Sequence, residues 1–587
     1  MNRRDAIRSI AGAGTLGALE SSTVHAAAAE AEPKGVERDG LTFWLETSLK
    51  RVYPTSPPGA AATLDMLAAR NERISFQACV RNGTTNSAIV KCEVVGGDGW
   101  QARVRRVGFV PMANLNTFVP REEIEGEGFI PGLCPDPLYP EQQAHFSPLG
   151  NAVFWISLIV PERETTGVHD LRVRLTLENQ YGYVDFTRPK PWSVELPVRV
   201  DVRPLVVRPR ENFPSTQWLS ADSIWEYYKI KPCGDRFWQL AEAYIRNLVE
   251  HGVDVAYTPV FNGRHEILER PAQLLKVHRT APDVYEFDFG DVRKWVRIAL
   301  AAGSKYIEWT HFFTPAPTSA RHPQRIFERD DEKIGPMLWA PEIPATGDTY
   351  RKFLEQFLPA FKTVLEEEKV LDRSLFHCAD EPDGDVQMAD YRKARAMLAE
   401  LAPWMKVMDA MSDPRFATER LSDMPVPSIT TAPAFTAAGC PAWAYFCCGP
   451  RDRYLQRLLD TPLSKLRMTG WLLYKLGARG FLHWGHNYWF VFCTSKIGDP
   501  FQDASVGAWP GLPYGDPFVV YPGPDGPIDS IRWEVFAESL QDYALLQSAG
   551  VKPDDPMLAS IHDYADFPKS ADWLAEARRR VLAIQPA

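Results

Sequence analysis

No stretch of the chain reaches the roughly 18 consecutive apolar residues that a membrane-spanning helix requires, so no span is expected. Blocks of basic residues are missing too, and the formal net charge is −10, which argues against nucleic acid as a partner. The nine cysteines, at 79, 92, 134, 233, 378, 440, 447, 448 and 493, are odd in number and follow no ligand-like spacing. They read as free and mostly core thiols, and no disulfide framework is expected. His483, His486 and Cys493 lack a fourth ligand at a recognisable spacing, so neither a metal nor another cofactor is expected. What is there is 587 residues, 45% hydrophobic and 24% charged, an ordinary globular composition long enough for two to four domains.

The aromatic content is high, with 18 Trp, several of them near the ends of strand-like runs. Such residues suit a sugar-binding cleft, because an aromatic face packs against the apolar face of a pyranose ring.

Residues 1–30 read as a targeting segment. Arg3 and Arg4 precede a weakly apolar run from Ile10 to Leu19 and a small-residue stretch, Val24 to Ala27. The pattern predicts twin-arginine export to the periplasm or beyond, with cleavage after Ala26. Folding in the cytoplasm before export also suits free thiols.

From 35 to 208 the apolar residues alternate. Ile74–Val80, Leu171–Leu177 and Val198–Val202 each place apolar side chains on one face and polar ones on the other, which predicts an antiparallel β-sandwich in a supporting role. Pro204, Pro209 and Pro214 then mark a boundary.

From 212 to 550 strand and helix patterns take turns. Strands are expected at Gln217–Leu219, Val253–Val260, Lys305–His311, Leu375–Ala379, Lys406–Ala410, Ser428–Thr431, Ala442–Phe446 and Gly480–Trp484. Amphipathic helices lie between several of them, such as the stripe Tyr350, Phe353, Leu354, Phe357, Phe361, Leu365. Eight units in one run predict a (β/α)8 TIM barrel, whose active site lies at the carboxyl ends of its strands. The segment from Phe490 to Pro527 is expected to form a long functional wall, a helix is expected to open near Ile528, and residues 551–587 to form a short helical tail.

One strand-like run ends in Asp380-Glu381-Pro382, where the proline is expected to hold Glu381 extended. On these residues alone a solvated turn is the plainer reading, since all three types are common in loops. In a barrel, however, the pair sits at a shared mouth with Trp218, Trp309, His311, Tyr445, Trp484, His486, Asn487, Tyr488 and Trp489. Paired acids amid rings and hydrogen-bonding groups make a carbohydrase-like site.

The run Gly515 to Leu546, with its Tyr521-Pro522-Gly523 turn, Ser530-Ile531-Arg532 helix start and Asp542-Tyr543-Ala544-Leu545-Leu546 ending, resembles the carboxyl-terminal part of glycoside hydrolase family 123. Trp484 to Trp489 and Asp380-Glu381-Pro382 fall where that family has its Trp-rich strand and its catalytic pair. The resemblance spans about Phe213 to Leu546. It departs at Pro517, Ser539 and Ala544, which replace a Gly, a Gly and a Glu. It implies a β-N-acetylgalactosaminidase that retains configuration by substrate assistance, acting on a glycan that ends in that sugar.

Within that implication Glu381 is the expected general acid. Asp380 is too close in sequence to face the sugar from the opposite side, so it is expected to orient the 2-acetamido group, with Tyr445 binding the acetamido oxygen. A retaining glycosidase for another sugar, and a silent carbohydrate-binding barrel, are the alternatives.

Overall fold

The computed structural model describes residues 35–585 apart from 117, 182–189, 264–269, 316–317 and 332. The targeting segment expected at 1–30 lies outside the described residues.

The amino-terminal region is built from two facing sheets. One has six strands in the order Val36–Arg38, Leu41–Thr47, Arg73–Asn82, Asn151–Ile159, Gln101–Met112, Gly132–Tyr139. The other has five, in the order Leu64–Arg70, Trp192–Val206, Gly167–Tyr181, Ser87–Val95, Gln143–Phe146. The apolar residues of the alternation meet between the sheets, where Phe43, Phe76, Phe154, Ile156, Leu175 and Val200 are buried. One pairing departs from the expected antiparallel pattern: Leu64–Arg70 runs parallel to Trp192–Val206.

The polar faces depart from expectation as well. In Arg73–Asn82 both faces are buried, with Ser75 and Gln77 as inaccessible as Phe76. Gln77 donates to the Thr47 and Lys50 carbonyls at 2.7 Å, and the Arg73 end meets the helix Ile531–Ser548, itself buried nearly all round. Its Glu534 accepts hydrogen bonds from Arg73 at 2.6 Å, Arg105 at 2.8 Å and Ser157 at 3.2 Å. Arg532, on the same helix, forms a fully buried fork with Asp136 of the six-stranded sheet, at 3.1 and 2.9 Å. Buried charges need such partners, because leaving one unpaired costs about 3–5 kcal/mol. The period-two pattern located the faces but could not tell water from a charged helix as the neighbour.

The second region runs from strand to helix eight times. Its parallel strands are β1 (Ser215–Gln217), β2 (Val255–Thr258), β3 (Tyr306–Trp309), β4 (Ser374–Leu375), β5 (Met408–Ala410), β6 (Met424–Val426), β7 (Ala444–Tyr445) and β8 (Phe481–His483). Six form one sheet in the order β4-β3-β2-β1-β8-β7, and β5 pairs with β6. Single parallel bridges, Phe376 to Val407 and Ser428 to Tyr445, stand between the two ladders. The hydrogen-bonded ladder is therefore interrupted twice rather than continuous.

Several boundaries differ from the sequence pattern. The first strand precedes Trp218 instead of containing it. The sixth is Met424–Val426, while Ser428 only bridges Tyr445 and the chain turns into the helix Ala432–Ala437. Pro425 hid this strand, yet a proline is tolerated where a strand borders an interruption. A four-stranded antiparallel excursion, Val284–Asp288, Lys276–Ala281, Phe327–Arg329 and Ile334–Met337, was not anticipated. Residues 526–529 pair with Val520–Gly523 as a hairpin, so the last large helix opens at Ile531, where Ser530 Oγ accepts the Trp533 amide at 3.1 Å. The tail carries the helix Ala571–Leu582, whose Arg578 reaches Glu72 of the sandwich and Asp542, tying both regions together.

Candidate active site

The strand exits bring side chains to a common mouth. Trp218 follows β1, Tyr257 lies in β2, His311 follows β3, Asp380 and Glu381 follow β4, Tyr445 ends β7 and Trp484 follows β8. Asp380, Glu381, Trp218, Tyr445 and Trp484 line a cavity of about 320 Å³, together with Phe492 and Leu512 of the long loop. Trp218 and Asp380 also line an adjoining pocket with Tyr257, Asp222 and His311. This is the size and mixture of a small-ligand site. A larger cavity, about 770 Å³, lies at the seam between the two regions among Arg73, His251 and Gln541, and none of the strand-exit residues line it.

Backbone strain marks the acid pair. Glu381 has φ +43°, in the left-handed region, where a side chain other than glycine's is held only by its surroundings. The extended backbone expected from Pro382 is thus not adopted. Its amide donates to the Ala410 carbonyl at 3.0 Å, and its Oε1 accepts the Tyr445 hydroxyl at 2.6 Å. Two further strand ends, those of β5 and β7, therefore fix this one residue. Burial, and then the Glu381 charge, push the Tyr445 phenol up, so it remains a donor. Glu381 itself is exposed to the mouth.

Asp380 is partly covered, and its Oδ1 lies 4.0 Å from His311 Nε2. Beneath it runs a buried chain of polar groups. The His311 ring stacks on that of His377, with centroids 4.4 Å apart. His377 lies between two carboxylates, Nε2 at 2.6 Å from Glu308 and Nδ1 at 3.2 Å from Asp409. Burial disfavours the imidazolium, but its hydrogen bonds with Asp409 and Glu308 outweigh that and raise it to about 10. Burial likewise pushes the Asp409 carboxyl up. The His377 direction is the governing one, because two carboxylates face a single imidazole. Glu308 also accepts from the Trp218 indole at 2.7 Å and from Thr216, and Tyr391 donates to Asp409 at 2.6 Å. The platform Trp218 and the backbone at Cys378, whose amide donates to Asp409 at 3.2 Å, are held by one network.

Trp309, Asn487, Tyr488 and Trp489 lie away from the mouth. Trp309 is fully buried against Phe361 with its indole on Ser374. Asn487 pins the turn after β1 by exchanging hydrogen bonds with the Ser220 backbone at 2.8 and 3.0 Å. Tyr488 is buried beside Trp484, and Trp489 donates to the Val520 carbonyl. Inside a strand-end segment side chains alternate between mouth and core, and the expected set included both. His486 is buried too, far below its ordinary value through burial, and His483 is lowered to about 4 by burial and the Arg457 charge. Sequence reasoning missed Glu308, His377, Asp409 and Tyr257. A charged residue inside an apolar strand run was the available signal for the first three.

Two groups of three ligating side chains among the described residues have their atoms close enough to share an ion, and both are otherwise engaged. In His311, His377 and Asp409 the central imidazole already faces a carboxylate at each nitrogen. His251, Asp529 and Glu534 surround Arg105, which donates to both acids.

Residues 218–549 match the family model described as glycoside hydrolase 123, catalytic domain. Among solved structures, the chain resembles a family 123 glycoside hydrolase from Clostridium perfringens, described for glycolipid glycan hydrolysis. The TM-score is 0.71 at 15% identity over 93% of this chain and 98% of that one. A β-D-glucuronidase from Dictyoglomus thermophilum aligns with TM-score 0.30 at 9% identity, over 89% of this chain and 74% of that one. A comparison with curated proteins finds no match.

Proposed function

The chain belongs to glycoside hydrolase family 123, and from that premise we propose that it releases β-linked N-acetylgalactosamine from a glycan by retaining, substrate-assisted catalysis on a (β/α)8 barrel whose strand ladder is interrupted twice. The observation that carries this reading is that the two acids are neighbours at one strand exit, with Glu381 clamped by Tyr445. Two protein carboxylates that act as acid and nucleophile in a retaining enzyme stand about 5 Å apart across the scissile bond. Adjacent residues diverge instead, so the nucleophile comes from the sugar. Glu381 protonates the glycosidic oxygen; the acetamido oxygen closes on the anomeric carbon; Asp380 accepts a hydrogen bond from the acetamido N–H and offsets the charge that builds there. Water then opens the oxazolinium ring with Glu381 as base.

Tyr445 is bonded to Glu381 here and takes the acetamido oxygen only by rotating its hydroxyl between the two. Trp218 and Trp484 supply faces for the pyranose ring. The glycolipid glycan named for the C. perfringens relative is one aglycone class to test. Residues 1–30 are proposed to export the folded chain through the twin-arginine route, and the double substitution Arg3→Lys, Arg4→Lys should then retain the precursor in the cytoplasm.

The deciding measurement is hydrolysis of aryl β-glycosides that differ only at C2 and C4. Turnover of the N-acetylgalactosaminide with little on the plain galactoside supports the reading. Equal turnover of both rejects substrate assistance, and ligand binding without aryl release makes the protein a carbohydrate-binding barrel.

A further inference from the structure

The cavity that holds Glu381 is walled by sulfur. Cys447 and Cys448 directly follow the β7 exit, two and three residues after Tyr445, and both line the cavity, as does Cys493 of the long loop. Four cysteines, at 79, 92, 134 and 378, are buried in the cores, whereas Cys447 and Cys448 are half-buried and Cys493 is exposed. Cys447 and Cys448 also pack against the cores, but unlike those four they reach the cavity beside Glu381.

The adjacent thiols are held in place. Their Sγ atoms lie 3.7 Å apart. The Cys447 amide donates to the Gly449 carbonyl at 2.9 Å, and the Cys448 carbonyl accepts from Arg451 Nε at 2.8 Å. Arg451 in turn is fixed by the carbonyls of Pro510 and Gly511, at 2.8 and 2.9 Å. In a tetrahedral thiolate site with metal–sulfur bonds of about 2.3 Å, two ligating sulfurs stand about 3.8 Å apart. The pair thus has the separation that a single soft cation requires, with no main-chain movement. Asp380 and Glu381 line the same cavity, and Asp516 accepts the Trp484 indole at 3.0 Å beside it, so the surroundings favour a cation.

We propose that Cys447 and Cys448 form a dithiol site for a thiophilic divalent cation of the zinc and cadmium type, and that a cation bound there obstructs the cavity beside Glu381. Binding breaks two S–H bonds, forms two S–metal bonds and releases two protons to solvent, so no oxidant or reductant is consumed. Cys447 and Cys448 both line the cavity, so the remaining coordination positions of the cation are open to water within it.

Only the inhibitory consequence rests on the proposed glycosidase reading. The test is cadmium titration of the full chain, kept reduced with a phosphine, followed by the ultraviolet thiolate-to-cadmium charge-transfer band. One cadmium per chain is expected, with affinity reduced about tenfold or more in Cys447→Ser and in Cys448→Ser and unchanged in Cys440→Ser. Cadmium should also protect Cys447 and Cys448 of the unmutated chain from iodoacetamide, read by peptide mass spectrometry, a result that needs no variant to fold. Saturating cadmium should cut aryl glycoside hydrolysis at least about tenfold, and a chelator should restore it. A band that survives both serine variants, or no protection of the pair, overturns the site. Cadmium on the pair with hydrolysis undiminished overturns the obstruction. A chain that binds cadmium there but hydrolyses none of the glycosides upholds the site and rejects the glycosidase reading instead.

Discussion

The Tyr445 hydroxyl donates to Glu381 Oε1 at 2.6 Å, joining the end of β7 to the strained turn after β4. This bond fixes one carboxylate oxygen of a residue that is exposed to the mouth. A general acid works only when its proton lies on the line to the leaving oxygen, so the bond is a positioning device. Tyr445→Phe should lower kcat by roughly 10- to 100-fold, with a smaller change in KM. Steady-state kinetics on one aryl glycoside checks this, and an unchanged kcat would separate the tyrosine from the acid.

Glu381 stands exposed at the mouth, and proton donation matters only when the leaving group needs it. Glu381→Gln is expected to lose several orders of magnitude on substrates with poor leaving groups and far less on activated aryl glycosides, in the manner of a lost general acid. The slope of log kcat/KM against leaving-group acidity measures the difference. Equal losses across the series would move the acid role to another residue.

His377 makes stability depend on pH. Its value rises from an ordinary 6.5 to about 10 in the fold, because Asp409 and Glu308 favour its charged form over the cost of burial. A raised value means that the stabilisation is present in full below about pH 6.5 and is lost as the pH climbs through about 10. His377→Gln should leave two buried carboxylates without their cation, at a cost of about 3–5 kcal/mol near neutrality. Thermal melting of both proteins between pH 6.5 and 10 should show the gap closing as the pH rises. A gap that widens would mean that His377 is neutral in the folded protein.

The sequence carried the order of elements further than their edges. Alternation in Leu171–Leu177 and Val198–Val202 was enough for the sandwich, because a half-buried sheet writes its two faces directly into the chain. It misread Ser75 and Gln77, because a polar residue looks the same facing water or facing other parts of the fold. The acid pair and Tyr445 were legible because strand exits in a parallel sheet converge, so position alone brings them together. Trp309 and Trp489 were not separable from Trp218 and Trp484 by the same reasoning. One residue of difference turns a side chain from mouth to core, and short strands such as Ser374–Leu375 leave no pattern from which to count. Glu308, His377 and Asp409 each sit inside apolar runs, but their mutual contacts span 32 and 69 residues and are set only by the packed fold.

Asp380 separates substrate assistance from every other retaining scheme. Its Oδ1 lies 4.0 Å from His311, which stacks on the charged His377, so the carboxylate sits at the head of a column of positive and polar groups. An anion held there stabilises an acetamido nitrogen that becomes positive as the oxazolinium ring closes, and this charge develops whatever the leaving group. Asp380→Asn should therefore be impaired by about two to four orders of magnitude on activated and poor substrates alike, in contrast to Glu381→Gln. The same argument makes a thiazoline analogue of N-acetylgalactosamine a strong inhibitor of the unmutated chain and a weak one of Asp380→Asn, because the analogue presents the ring nitrogen to the missing charge. Inhibition constants for the two proteins, measured alongside kcat/KM across the leaving-group series, decide the point. If the thiazoline binds both equally, or if a 2-fluoro sugar traps an ester on the protein, the nucleophile is a side chain and Asp380 has another task.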